Sequence, residues 1–205
     1  MSVFPLSNLA SGRLSLSAAL EKVDNFNELK PHKLTLSELG RILWAAQGVT
    51  KRDSGWIYPL RAAPSAGGLY PLEVYVIVAS DGVEELEEGL YHYDPVGEVL
   101  TLVEKGSYHT EITRLLKIGV KGDVSMVYIL ICAVYHRTTE KYGYRGIMYV
   151  HNEVGHVVLN AMVECASLNL ACEILLIRSD ADVKKLLNIM GEPLLLMKIG
   201  KTTQK

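Results

Sequence analysis

Leu36, Leu39, Ile42, Leu43 and Ala46 recur at helical spacing and predict a helix over 35–48. Thr35 followed by Glu38 reads as a capping box, and Gly48 as a stop. Residues 74–79, VYVIVA, form a nearly continuous apolar, β-branched run, the pattern of a strand buried on both faces. Residues 124–135 repeat that pattern. Residues 89–93 and 98–103 pair on paper as a hairpin through Asp94-Pro95 and Gly97. Further helices are expected at 107–118, 144–170 and 180–189, and further strands at 172–177 and 194–199. Residues 1–34 are weakly periodic and yield no firm element. Residues 49–71 are turn-rich, with Gly55, Pro59, Pro64, Gly67, Gly68 and Pro71. Strands mixed with helices point to an α+β layer structure, helices covering a central sheet. No repeat or linker divides the chain, so one domain over 1–205 is expected.

Composition narrows the function classes. With 49% hydrophobic residues in 205, the chain can build a core, which excludes disorder as its main state. Twenty-one basic against 23 acidic residues leave a net charge of −2, without the basic footprint of a nucleic-acid binder. Cys132, Cys165 and Cys172 sit in apolar runs with no CxxC pair, against a disulfide framework or thiolate zinc site. The start, MSVFPLSNLASGR, lacks the charged and apolar blocks of a signal peptide. The longest apolar stretch falls short of the roughly 20 residues of a membrane helix. These features predict a soluble, cytoplasmic protein.

Four features carry candidate chemistry. Arg61-Ala-Ala-Pro64-Ser65-Ala66-Gly67-Gly68-Leu-Tyr-Pro71 precedes the first buried strand. Its small side chains let a flat or phosphate-bearing ligand approach the backbone, and Arg61 adds a forked cation. The alternative is a turn that needs glycine for its dihedrals. No lysine follows the glycines and no strand precedes them, so neither phosphate-loop fingerprint applies. Second, Lys141-Tyr142 could exchange protons in a partly dry cleft, where burial would lower the lysine's proton affinity, or sit in a solvated loop. Third, Glu153, His156, Asn160 and Glu164 share one face of a helix otherwise apolar nearly all round. Ligand or internal partners would both satisfy them. A metal role is disfavoured: Glu153-x-x-His156 lacks the second pair of a di-iron site, and His151 and His156 are five apart rather than four. Fourth, Arg13 with Ser15 and Ser17, and Lys201 after the last strand, could join Arg61 on one phosphate. Ser-His-Asp and Cys-His catalysis have no signal.

In this order, Arg61 with Pro64-Ser65-Ala66-Gly67 and Pro71, Leu90-Tyr-His-Tyr-Asp94, Lys141-Tyr142, Glu153-x-Gly155-His156 and Asn160 resemble the nitroreductase-like flavoprotein family. Within it they resemble the SagB/McbC-type dehydrogenases, which oxidise azoline rings in peptides to azoles. The resemblance implies an α+β fold with a central, mostly antiparallel sheet wrapped by helices. It implies a homodimer binding FMN between subunits, with NAD(P)H as candidate electron donor and a small or peptide-borne conjugated substrate. Arg13 and Ser15 would hold the phosphate; Ser17 stands where the family has a cation, and Arg61 and Lys201 would compensate. Pro64, Ser65, Ala66 and Gly67 would meet the ribityl chain and ring, with Asn160 in the same set. Leu176 and Ile177 would face the flavin N5 edge, without the usual glycine. Lys141 and Tyr142 would handle protons in catalysis. The departures at Ser17 and Ile177-Arg178 motivate an alternative, a non-catalytic flavin storage or delivery protein.

Overall fold

The computed structural model describes residues 2–6, 14–23, 29–53, 55–116 and 126–202. In chain order the elements are β1 Val3–Pro5, α1 Leu16–Glu21, β2 Leu29–Lys30, α2 Leu36–Gln47, β3 Val49–Lys51 and β4 Leu60–Arg61. A short 3-10 turn, Ala66–Gly68, leads to β5 Leu72–Val78, β6 Gly89–Asp94, β7 Val99–Lys105 and α3 His109–Arg114. Then come β8 Val127–Ala133, α4 His136–Tyr142, α5 Arg145–Ser167, β9 Ala171–Leu175, α6 Asp180–Leu187 and β10 Glu192–Thr202.

Eight strands form one sheet in the order β1-β7-β6-β5-β8-β10-β2, with β9 also on β10; β3 and β4 pair separately. Every strand pairing among the described residues is antiparallel. The two apolar runs become the central strands β5 and β8. Alternate side chains explain why they read as continuous. Val74, Val76, Ile129 and Ile131 join one core with Leu39, Ile42 and Leu43 of α2 and Val150, Val157 and Ala161 of α5. Tyr75, Ile77, Tyr128 and Leu130 join a second with Ile112 of α3 and Val183 and Leu187 of α6. Helices thus cover both faces. Each fully buried Leu or Ile of α2 is worth about 1.5–3 kcal/mol.

The capping box forms: the Glu38 amide donates to Thr35 Oγ1 at 3.1 Å and the Thr35 amide to Glu38 Oε2 at 3.0 Å. Three expectations need correction. The helix expected over 107–118 is only α3, since Leu116 instead bridges Ile177. The last strand is longer, because a bulge between Pro193 and Leu195 accommodates the proline. The long helix is not buried all round: Met148, Gly155, His156 and Leu159 lie exposed on α5.

Candidate functional site

The 61–71 bend runs from β4 into β5 and presents mostly backbone. Gly67 (φ +66°) and Gly68 (φ +65°) adopt the left-handed conformation that glycine accepts without penalty. Space imposes glycine at 67 a second time. A Cβ there would lie 2.6 Å from Tyr142 Oη and 2.9 Å from Lys141 Nζ. The fold therefore brings the small-residue bend and the Lys-Tyr pair into contact across 74 positions of sequence. The pair sits on the last turn of α4, a helix absent from the sequence expectation, before Gly143 (φ +56°) breaks the chain into α5. Lys141 Nζ lies 5.3 Å from the Tyr142 ring centroid. The Tyr142 ring meets Tyr149 edge-on at 5.1 Å, and Arg145 Nε donates to Tyr149 Oη at 3.1 Å. Lys141 is exposed, so a single chain lacks the dry cleft expected around it.

Beneath the bend a ring of polar groups closes on itself. Arg61 Nη1 donates to Gln47 Oε1 (3.1 Å), and Gln47 Nε2 to Glu153 Oε1 (3.5 Å). The Glu153 side chain also bonds Ser65. Ser65 Oγ accepts the Tyr70 amide (2.9 Å), and Tyr70 Oη accepts the Arg61 amide (2.9 Å). The Arg61 guanidinium stacks 4.5 Å from the Tyr70 ring centroid. Gln47 and Glu153 are almost fully buried. Burial pushes the Glu153 carboxyl up to about 7, against the pull of Ser65, Gln47 and Arg61. Burial likewise lowers the proton affinity of Arg61.

The other candidates are dispersed. Arg13 lies outside the described residues. Ser15 caps α1, accepting the Ala18 amide at 3.3 Å, and both Ser15 and Ser17 are exposed. Asn160 lines a groove with Leu16, Trp44 and Ala62, so α1 and the start of the bend share one flank of α5. Pro64 is exposed, and Ser65, Ala66 and Gly67 are half-buried. Leu176 is exposed, whereas Ile177 is buried against Leu116. Lys201 is exposed and pairs with Lys30 across β10 and β2. The His32 imidazole is held below its ordinary proton affinity, first by burial and then by Lys201. The polar stripe of α5 divides: Glu153 faces inward, His156 is open, and Glu164 takes Arg41 Nε at 2.8 Å.

The sheet sets these groups at two ends. The bend enters β5 where Leu72 pairs Ala133, and Lys141-Tyr142 follows that same end of β8. Lys201 leaves where Val127 pairs Ile199. Seven strand residues, about 20 Å, lie between. Gln47, Glu73, His92 and Arg137 also line or support this region and were not among the sequence candidates. Glu73 takes Arg137 Nη2 (2.5 Å) and His92 Nε2 (2.6 Å). Burial opposes ionisation of Glu73, but the bonds from His92 and Arg137 outweigh it and keep the carboxyl below its usual range. His92 was visible only as part of the Leu90-Tyr-His-Tyr-Asp94 segment that carries the family resemblance.

Comparison with known proteins places this arrangement. Residues 28–201 match the sequence profile described as "Nitroreductase family". A relative from Methanocaldococcus jannaschii, provisionally named nitroreductase MJ1384, is 36% identical over 190 residues, 92% of this chain and 91% of its own. The microcin B17-processing protein McbC of Escherichia coli is 28% identical over 165 residues, 77% of this chain; the match spans 58% of McbC. Among solved structures, a nitroreductase-named protein of Ralstonia eutropha superposes with a TM-score of 0.78 at 24% identity, covering 99% of this chain and 90% of that one. The E. coli microcin synthetase McbBCD complex with truncated pro-MccB17 bound gives 0.74 at 23% identity, covering 96% and 72%. No helix among the described residues is long and apolar enough to cross a membrane. With the profile covering most of its length and McbC among its relatives, the chain belongs to the nitroreductase family of oxidoreductases, on its McbC-type side.

Proposed function

We propose that this protein is an FMN-dependent oxidoreductase that acts on a small or peptide-borne conjugated substrate, with Lys141 and Tyr142 as its proton-handling residues. The observation that carries the reading is the contact of Gly67 with Tyr142 Oη and Lys141 Nζ. It unites a surface that a flat ring can lie against with two groups able to hold a proton. The residues present fit FMN. The bend at 64–67 offers backbone and small side chains to the ring and ribityl chain, and Lys201 beside Lys30 offers cations to the phosphate. Ser15, Ser17 and Asn160 border the groove on the α1 flank. One chain sets the bend and Lys201 about 20 Å apart along the sheet, and the proposed site takes them from two copies. A homodimer is therefore part of the proposal. It would also cover the exposed Met148, Leu159 and Leu176.

Bound FMN would supply hydride chemistry that no side chain offers. The chain's contribution is placement and protons. Tyr149 holds the Tyr142 ring edge-on, and Gly67 leaves room for the phenol and the ammonium beside it. The Lys141 ammonium can give a proton to a reacting nitrogen or oxygen, and Tyr142 Oη can pass one on. Covering by a second copy would supply the dry surroundings that exposed Lys141 lacks in one chain. The relation to McbC supports an azoline-type peptide substrate, and NAD(P)H is the proposed donor where the reaction runs as a reduction.

The test is direct. Purified protein titrated with FMN should take up the cofactor, turn yellow and elute as a dimer. NAD(P)H should bleach it, and quinones, nitroaromatics or azolines should serve as substrates. Uptake without any turnover would support the storage reading that the glycine-free Leu176-Ile177 segment motivates. Failure to bind FMN would overturn both.

A further inference from the structure

The short helix that carries Lys141 and Tyr142 cannot hold its own place. α4 has seven residues and no side-chain cap, and isolated helices shorter than about 12–15 residues are marginal in water. Its position is therefore set from outside. One flank packs on α5, where a Cβ on Gly146 would lie 3.0 Å from the Thr138 and Thr139 backbone. Another flank runs along the bend. Arg137 reaches residue 70 there, and Lys141, four positions on and so on the same side of the helix, reaches residue 67. We propose that Arg137 is a positioning residue of the site: held by Glu73, it clasps α4 to the bend and so keeps Lys141 and Tyr142 at Gly67. The inference rests on the proton-handling role proposed above for that pair.

The clasp has two anchors. Arg137 Nη2 pairs with Glu73 Oε1 at 2.5 Å, and Nη1 donates to the Tyr70 carbonyl at 3.3 Å. Both anchors are fixed independently of α4. Glu73 stands on central strand β5, and its second oxygen takes His92 Nε2 of β6 at 2.6 Å. Its side chain is only 14% exposed, so solvent competes little for the carboxylate. Tyr70 adopts a left-handed conformation (φ +46°), uncommon for a residue with a side chain. Its amide donates to Ser65 Oγ at 2.9 Å, and its Oη accepts the Arg61 amide at 2.9 Å. These bonds hold the turn whose carbonyl Arg137 takes.

The backbone ties the chain only ahead of the helix, where the Val134 amide donates to the Pro71 carbonyl at 2.8 Å. Beyond that point α4 can pivot on α5 unless a side chain holds its other flank. Gripping a carboxylate and a carbonyl together takes the planar fork of a guanidinium, which lysine lacks. Arg137 therefore acts through Lys141 and Tyr142 rather than on a substrate.

Hydrogen exchange on the protein as purified reads the clasp without reference to flavin. In Arg137→Met the amides of residues 139–143 should exchange about tenfold faster, while those of α2 stay protected. In FMN-loaded protein, with NAD(P)H and a naphthoquinone, kcat should fall about tenfold towards the Lys141→Ala rate, with quinone KM and FMN affinity kept. Arg137→Lys keeps the charge and should recover part of both losses. Glu73→Gln should slow turnover too, and the double variant should lose no more than Arg137→Met alone, because both residues act through one contact. Unchanged exchange at 139–143, or additive losses in the double variant, would overturn the proposal. Faster exchange with full turnover overturns it where Lys141→Ala is slow. If Lys141→Ala also turns over at the wild-type rate, the proton-handling assignment falls instead, and the exchange result alone decides the clasp.

Discussion

Replacing Glu153 by Gln removes a buried acid while keeping its size and one carbonyl acceptor. The Glu153 carboxyl titrates near 7 in the fold against an ordinary 4.5. A carboxyl raised by folding makes the native state bind the extra proton, so its stabilising contribution is complete below 4.5. It is lost as pH rises through 4.5 towards 7, and nothing remains to lose above that. Between pH 5 and 8 the loss is about 2–3 kcal/mol, since each tenfold change in proton affinity on folding is worth about 1.4 kcal/mol. Glutamine cannot ionise, so this part of the pH dependence should vanish in the variant. Urea unfolding of both proteins at pH 5, 6, 7 and 8 measures it. The wild type should lose about 2–3 kcal/mol more than Glu153→Gln across that range, most of it before pH 7. Parallel profiles would refute the reasoning and mean that Glu153 is already ionised at pH 5, held by Arg61 through Gln47. The same titration should loosen the Ser65 end of the bend, so any FMN affinity should also change near pH 7 in the wild type alone.

Gly67→Ala should destabilise the fold by about 1–2 kcal/mol through its positive φ, and should displace Tyr142 and Lys141; a lower melting temperature together with slower turnover checks both. Lys141→Ala and Tyr142→Phe should each slow turnover while leaving FMN bound, as read by steady-state rates beside cofactor titration; co-loss of flavin would make the pair structural. Thr35→Ala opens the capping box of α2 and should cost about 1 kcal/mol in chemical unfolding, without effect on ligand binding.

The central strands and α2 were legible because their information is local. Runs such as VYVIVA and YILICA announce burial on two faces, and Thr35 with Glu38 marks a helix start within four residues. The Lys-Tyr pair was legible as a motif and misplaced as structure: HRTTEKY has little helical amphipathicity, and α4 exists because β8 delivers it against the bend. Glu153 was visible in the stripe, but its inward turn depends on Gln47 from another helix, which no spacing encodes. Arg61 was visible as a cation beside the bend, but its packing on Tyr70 and its bond to Gln47 are set by the 61–71 turn rather than by composition. Long-range register decides such placements, as it does the separation of Lys201 from Ser65.

That separation has a genetic reading. If each complete site draws Lys201 from one copy and Lys141 from the other, two defective chains can repair one another. A Lys201→Ala chain paired with a Lys141→Ala chain holds one centre carrying both lesions and one carrying neither. Co-expression would then restore about half the activity per heterodimer, although each parent alone stays impaired.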